Sequence, residues 1–395
     1  LTAPARAIDG GTCHVFHAFE AAFSIDLDAA ARRIAGAGRA GLTAGDRNVS
    51  GVDFAPRPLR AVMDVAPVTC GRFTTAARAH VTVFDFGALS VRLDFPLSGP
   101  ADGLAELART LVGHAALRDA ARRAAADVLQ AVGDAAERPV LSERGEDYVV
   151  FALPALGRDP RSGLADTLLA RTLRSEEGAL SAEEVRDAVS STVSYGEDDV
   201  AVIDWNCAVV VDRTPDDALA VLEFANVELI EMRWLDDRLD EALDEAFRTA
   251  GGSFRGARIL SVQTGRHARR IAELQIDAAA LFESVNNALK LFGDQWLARL
   301  HQAATHRMQI DAAALFESVN NALKLFGDQW LARLHQAATH RMHIDDFERS
   351  VLRKVEALDS IYGKLRDRQV QVRAELLEWI IIALIAVEIV LFLRS

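Results

Sequence analysis

The last twenty residues, LLEWIIIALIAVEIVLFLRS, constrain this chain more than any other stretch, because 376–393 is the segment apolar enough to leave water for a bilayer. Coiled as a helix at about 1.5 Å per residue it reaches roughly 27 Å, just short of the roughly 30 Å hydrocarbon core. Glu388 opposes insertion, since an ionisable group near mid-span costs about 2.5–3.5 kcal/mol. Against it stand Ile380, Ile382, Val387, Ile389 and their apolar neighbours, each returning about 0.3–0.6 kcal/mol, and the sum narrowly favours a span. Trp379 sits where an interfacial aromatic belongs, and Lys364, Arg366, Arg368 and Arg373 precede the run while Arg394 alone follows. The positive-inside rule then keeps the N-terminal body in the cytosol, at a bacterial inner membrane, or on the matrix side of a mitochondrial inner membrane. The competing reading is a helix buried in a soluble core or an oligomer interface. Ile381, Leu384, Ile385 and Glu388 share one helical face. That face predicts association of the tail with itself or with another membrane protein; the alternative is that Glu388 snorkels to water.

The rest of the chain reads as a water-soluble body. With 395 residues, half of them hydrophobic, it holds one large or two moderate domains. A net charge of −13 and a pI near 5.3 argue against a nucleic-acid surface, which draws on clustered Lys and Arg, so no direct nucleic-acid partner is expected. Cys13, Cys70 and Cys207 are isolated and lack C-x-x-C spacing, as expected of free structural thiols in a reducing compartment. The stretch LTAPARAIDGGTCHVF has neither the charged nor the apolar region of a signal peptide. The absence of an initiator Met leaves an earlier segment open.

Periodicity predicts an α+β fold: a mainly antiparallel sheet with packed helices over 12–250, after a disordered 1–11, followed by a long helical arm over 251–375 and the transmembrane helix. Strands are expected at 12–19, 60–68, 78–95 and 148–153, the third folded as a hairpin near Gly87, where a turn can use a positive φ. Asp26 should cap a helix running to Ile34, and 101–132 is helical in period. Ser181 and Glu184 form a capping box. Thr214, Pro215, Asp216 and Asp217 open a long helix whose core stripe is Leu222, Ala225, Leu229, Met232, Leu235, Leu239, Leu243 and Ala246. Gly251 and Gly252 should break the chain.

Within the arm, which has coiled-coil character, 275–308 and 309–342 are identical letter for letter, a period of 34 residues. That is the tetratricopeptide length, but its consensus residues are absent and solenoids need three or more units. Identity without drift points instead to a very recent duplication or an assembly or cloning artefact. One helix through both copies would turn the second to nearly the opposite face, unless Gly293 and Gly327 end one helix and start another.

Four stretches together, SYGEDDVAVIDW at 194–205, LEFANVELIEMRWLDDRLD at 222–240, NNALKLFGDQWLARL at 320–334 and LLEWIIIALIAVEI at 376–389, resemble the family called "required for meiotic nuclear division", whose bacterial members are called YagE. The matching positions include Tyr195, Gly196, Asp204, Trp205, Glu223, Asn226, Glu231, Arg233, Glu378 and Trp379. The resemblance implies a membrane-anchored protein of uncharacterised role in bacteria and, in eukaryotes, a mitochondrial inner-membrane protein supporting organellar translation. The duplicated block departs from that pattern, which has one copy.

Candidate chemistry is sparse. Glu197, Asp198, Asp199 and Asp204 could ligate a hard cation, or they could cap a turn between strands. Glu223, Glu228 and Glu231 share a helix without the E-x-x-H partner of a di-iron bundle, so a solvated or salt-bridged face is expected. His301, His306, His335, His340 and His343 stem largely from the duplication; His340 and His343 could share a face for zinc. Phosphate-loop, nucleophile-elbow and dinucleotide motifs are missing, and no catalytic residue and no cofactor is assigned. Two function classes remain: a non-catalytic, membrane-anchored scaffold that assembles with itself or a membrane partner, and a metal-dependent enzyme with an acidic site around 197–204.

Overall fold

The computed structural model describes residues 7–34, 36, 38, 39, 58–154, 164–194, 196–252, 329–347, 349–351, 353, 354, 357, 360 and 361. The apolar run 376–393 with Trp379, Ile381, Leu384, Ile385 and Glu388, the motif residues Tyr195 and Glu378, and the first copy of the repeat lie outside the described residues. In chain order the elements are β1 (Ala7–Glu20), β2 (Ser24–Ile25), α1 (Leu27–Arg33), β3 (Gly38–Arg39), β4 (Leu59–Asp64), β5 (Thr69–Cys70), β6 (Phe73–Thr74), β7 (Arg78–Val83) and β8 (Ala88–Pro100). They continue as α2 (Gly103–Leu111), α3 (Ala115–Val132), a 3₁₀ turn, β9 (Ala136–Glu137), β10 (Glu146–Leu153), α4 (Asp166–Leu173) and α5 (Ala182–Ala188). The series closes with β11 (Thr192–Val193), β12 (Val200–Ile203), β13 (Cys207–Val211), α6 (Asp216–Gly252) and α7 (Gln329–Arg341).

Nine strands form one sheet in the order β11-β12-β13-β10-β1-β8-β7-β4-β3, antiparallel except for the β10–β13 pair. The fold is mixed α+β with a large, mostly antiparallel sheet and packed helices. β1 lies at its centre, paired to β8 from Ala7↔Pro100 to Glu20↔Ala88 and to β10 from Thr12↔Ala152 to Ala18↔Glu146. Residues 7–11, expected in a disordered N-terminus, therefore belong to the strand. A register shift between Asp9 and Gly11 lets the ladder with β8 continue that far.

Local chemistry explains the boundaries. Gly87 turns β7 into β8 at φ +103°, and its carbonyl accepts from the Ala21 and Ala22 N–H groups at 3.1 Å. Asp26 accepts from Asp28 N and Ala29 N to start α1, and Ser181 Oγ accepts from Glu184 N at 3.1 Å to start α5. The helical stretch 101–132 is two helices, broken where Gly113 adopts φ +61°. The strand expected over 60–68 ends at Asp64, where its partner β7 begins at Arg78, and Val68 N turns to Thr75 Oγ1 at 2.9 Å. α6 runs through Gly251 and Gly252, the last described residues of that stretch.

The alternation of each strand sorts the sheet into two faces. On one, Cys13, Val15 and Phe19, Val91, Leu93 and Phe95, and Val149 and Phe151 pack in one apolar cluster with Leu104 and Leu107 of α2 and Leu117, Ala121, Ala125 and Val128 of α3. The other face carries His14, Phe16, Ala18 and Glu20 on β1, Ser90, Arg92 and Asp94 on β8, His80 and Thr82 on β7, Arg60 on β4, and Glu146 and Tyr148 on β10. The N-terminal part of α6 meets this second face.

The described residues fall into two units, one reaching Trp234 and including α7, the other starting at Leu235. In the second, Leu235, Leu239, Ala242 and Val351 are buried, and Lys354 Nζ lies 2.8 Å from Asp236 Oδ1 and 2.7 Å from Asp240 Oδ2.

Candidate functional site

All residues of α6 from 218 to 232 are buried, and four of them are polar: Glu223, Asn226, Glu228 and Glu231. Of the solvated or salt-bridged face expected for the three glutamates, the solvated alternative fails, because the helix is enclosed on its polar side as well as along its apolar stripe, while Glu223 and Glu228 do face basic partners. Each polar group meets a specific partner. Asn226 Nδ2 donates to the Glu146 carbonyl at 3.1 Å, and Arg233 Nη1 lies 2.5 Å from Glu146 Oε1. Burial raises the Glu146 pKa, and Arg233 opposes that shift without cancelling it. Glu223 lies 3.7 Å from Arg60 Nη2. Glu228 Oε2 is 3.0 Å from His335 Nε2 of α7, both side chains 2% exposed, with Thr339 Oγ1 at 3.4 Å from the other ring nitrogen.

Glu231 faces Glu20 across the layer. Burial pushes the Glu231 carboxyl well above its ordinary range, and the neighbouring Glu20 carboxyl, in hydrogen bond with it, pushes it further. Two carboxyls in one dry place favour a shared proton over two charges.

Further along the same face, Asp94 gathers nitrogen side chains: His14 Nδ1 at 2.8 Å, Arg92 Nε at 3.0 Å and His80 Nε2 at 3.6 Å. Burial would raise the Asp94 pKa, but the His14 hydrogen bond and the Arg92 charge outweigh it and the net shift is downward. Burial lowers the His80 pKa, and Arg92 adds to that. A carboxylate held ionised between two imidazoles orients them and stabilises the charge that an imidazole acquires on taking up a proton; that is the chemistry the cluster offers.

The acidic positions singled out at 197–204 do not converge. Asp198 pairs with Arg213 Nε at 3.3 Å, and Asp199 Oδ2 accepts from Gly196 N at 2.9 Å, closing the turn before β12. Asp204 lies at the β12–β13 turn, where it accepts from Trp205 N at 3.0 Å and sits 3.1 Å from Arg174 Nε and 3.9 Å from Arg341 Nη1. Burial raises its pKa more than Arg174 lowers it. Its carbonyl accepts from the Tyr148 hydroxyl at 2.9 Å. Among the described residues no three His, Cys, Asp or Glu side chains are grouped to hold a metal ion. Of the histidines weighed for zinc, His301 and His306 lie outside the described residues, His335 is bound to Glu228, and His343 adopts φ +58° with Asp346 at 3.2 Å. Trp205 is half exposed at the tip of its hairpin.

Sequence reasoning missed Glu20 and the His14, His80, Arg92 and Asp94 cluster. The signal was present: Arg92 and Asp94 alternate with Val91, Leu93 and Phe95, so both polar residues share the face opposite the apolar one.

Comparisons with known proteins place these elements among relatives. A family model described as "Uncharacterized protein MJ0711, N-terminal domain" matches residues 10–217, which covers the sheet from β1 to β13 and the start of α6. "Uncharacterized protein MJ0711" of Methanocaldococcus jannaschii is 23% identical over 254 residues, 63% of this chain and 66% of that protein, just under two thirds of the relative's length. No solved structure matches.

Proposed function

Since the chain belongs to the family of "Uncharacterized protein MJ0711, N-terminal domain", we propose for it a non-catalytic assembly role: a folded body that presents helices to partners and is carried at a membrane by the apolar run 376–393. The observation that carries this reading is that the motif side chains Asn226, Glu231 and Arg233, with Glu228, bind Glu146, Glu20 and His335, fixing α6 on the sheet and α7 on α6. Groups bound to one another in this way define a rigid platform. The resemblance to the "required for meiotic nuclear division" family adds the expectation of a place beside translation or membrane organisation. Partners are a second copy of the chain or a membrane protein, met through the Glu388 face of the tail.

The test is fractionation and crosslinking of the full chain in native membranes. Resistance to alkaline extraction that is lost when 376–393 is deleted, together with a discrete crosslinked assembly, is the expected result. Glu388→Leu should strengthen membrane retention and weaken the crosslink. A stoichiometric divalent ion retained by the purified protein and lost with Asp204→Asn would overturn the reading in favour of a metal-dependent enzyme.

A further inference from the structure

The seat that receives α7 is read by a set of side chains spaced along one helix. Trp330, Leu334, Ala338 and Met342 recur every four residues and are all buried, and Ile344 follows them into the interior. Between them His335 reaches Glu228 at 3.0 Å and stacks obliquely near Phe224, ring centroids 6.0 Å apart. Arg333 donates to the Ser194 carbonyl at 3.2 Å. At the far end Arg341 donates to the Asp187 carbonyl, lies 3.3 Å from Asp187 Oδ2 and donates to Ser190 Oγ at 2.6 Å. Arg341 also stands beside Asp204. The seat is thus demanding: a buried carboxylate on α6 needs an imidazole opposite it, and the end of α5 needs a guanidinium two turns later. A buried charge left without its partner is strongly destabilising, so few sequences fit.

This chain contains that sequence twice. Trp296, Arg299, Leu300, His301, Arg307 and Met308 repeat Trp330, Arg333, Leu334, His335, Arg341 and Met342 at the same spacings, and the preceding 21 residues are identical as well. The match runs past the repeat: Ile310 stands where Ile344 does. We propose that the seat formed by α5, the β12–β13 turn and α6 recognises this segment in either copy, so that 295–307 competes with 329–341 for the same place in its own chain. Within 329–342 every side chain on the seat has an identical counterpart in the first copy; beyond it Phe347, whose ring centroid lies 5.1 Å from the Arg233 guanidinium, is matched by Ala313, which favours the second copy by about two- to fivefold. The tether acts in the opposite sense, since the first copy lies 34 residues nearer to α6. Loop closure changes a ratio of occupancies by only about twofold over such a difference. Both seatings are therefore populated, and exchanging them moves 34 residues from one side of the seat to the other. The length of chain between the body and the apolar run changes accordingly, by on the order of 50 Å if those residues are helical.

The test uses the full chain, whose own cysteines are buried, with thiol pKa values raised by that burial. Ser194 and Arg333 are both exposed, so Ser194→Cys combined with Arg333→Cys gives a pair that a short bismaleimide bridges, and Ser194→Cys combined with Arg299→Cys probes the other copy. The expected result is an intrachain bridge from both pairs, with yields within about threefold of each other. A bridge from Arg333→Cys with none from Arg299→Cys overturns the proposal, as does an Arg299→Cys product found only between chains. Unfolding gives a second reading: Trp330→Ala with Arg341→Ala should shift the midpoint little, because the first copy takes the seat. Adding Trp296→Ala and Arg307→Ala should then produce the full loss. If the two-residue change in α7 alone already produces that loss, the copies do not substitute for one another.

Discussion

The two faces of the central sheet are built from the same strands by opposite means. Toward α2 and α3 the sheet offers Val15, Phe19, Val91, Leu93, Phe95 and Phe151, and the helices answer with Leu and Ala, so dispersion and the removal of apolar area from water hold the layers. Toward α6 it offers Glu20, Arg60 and Glu146, and the helix answers with Glu231, Glu223 and Asn226. The first kind of contact tolerates rearrangement among apolar shapes. The second is directional and fixes one angle and register, because a helix displaced by one turn would leave several buried charges without partners.

The joint the two faces share should fail most severely. Gly87→Ala forces a side chain onto a backbone at φ +103° and puts its Cβ 1.8 Å from the Ala22 carbonyl oxygen, so no cooperatively folded protein is expected by thermal melt. Next comes a direct contrast of the faces. Phe95→Ala on the apolar side should cost about 3–5 kcal/mol through its cavity, measured by denaturant unfolding. On the polar side His335→Leu combined with His301→Leu, so that neither copy supplies the imidazole, should cost about 3 kcal/mol, since Glu228 is left buried and unpaired. Adding Glu228→Leu to those two changes should recover most of that loss, a non-additivity that Phe95→Ala and a neighbouring apolar truncation would not show. If the variant that also lacks Glu228 is as unstable as the one that keeps it, the pair is not what holds this helix.

Acid and base should distinguish the faces as well. His17 belongs to the apolar side; burial, reinforced by Arg118, lowers its pKa from 6.5 to about 4, and its Nε2 has no hydrogen-bond partner. A depressed folded-state pKa gives stability that is present above the unfolded value and lost as pH falls toward the folded one. The expected loss therefore runs from pH 6.5 down to about 4 and is absent from His17→Leu, an effect of about 3 kcal/mol at most. Glu231 acts in the other sense. Its raised pKa gives stability that is complete below the ordinary carboxyl value of 4.5 and declines as pH rises toward the folded one, so Glu231→Gln should flatten the alkaline side of the profile. At the acidic end the same variant should differ from the parent by less than about 1 kcal/mol, the smallest effect in the series.

Much of the scaffold was legible in the sequence because its signals are local. The alternation of Val81 and Val83 with Leu89, Val91 and Leu93 predicted the β7–β8 hairpin, Gly87 its turn, Asp26 and Ser181 two helix starts, and the apolar stripe from Leu222 the path of α6. The polar layer was hidden because a glutamate on a helix looks the same whether it meets water or a buried imidazole. What distinguishes the cases is a residue far away in the chain, as His335 is from Glu228 or Glu20 from Glu231. The grouping of carboxylates at 197–204 misled for the converse reason: adjacency in sequence put them on a turn, from which Asp198, Asp199 and Asp204 point to three different partners.

The place of β1 in the sheet has a consequence for how the protein is made. It is the earliest long strand among the described residues, and its two neighbours come much later: Cys13 waits for Phe95 on one side and for Phe151 on the other. At about 5–20 residues per second, a ribosome leaves that strand with at least one bare edge for on the order of ten seconds. Through that interval it displays Val15, Phe16 and Phe19 on an unpaired ribbon, the kind of surface that recruits other strands. The element that finally organises the sheet is therefore in need of shelter during synthesis, and a chaperone that binds extended apolar segments would find a target there.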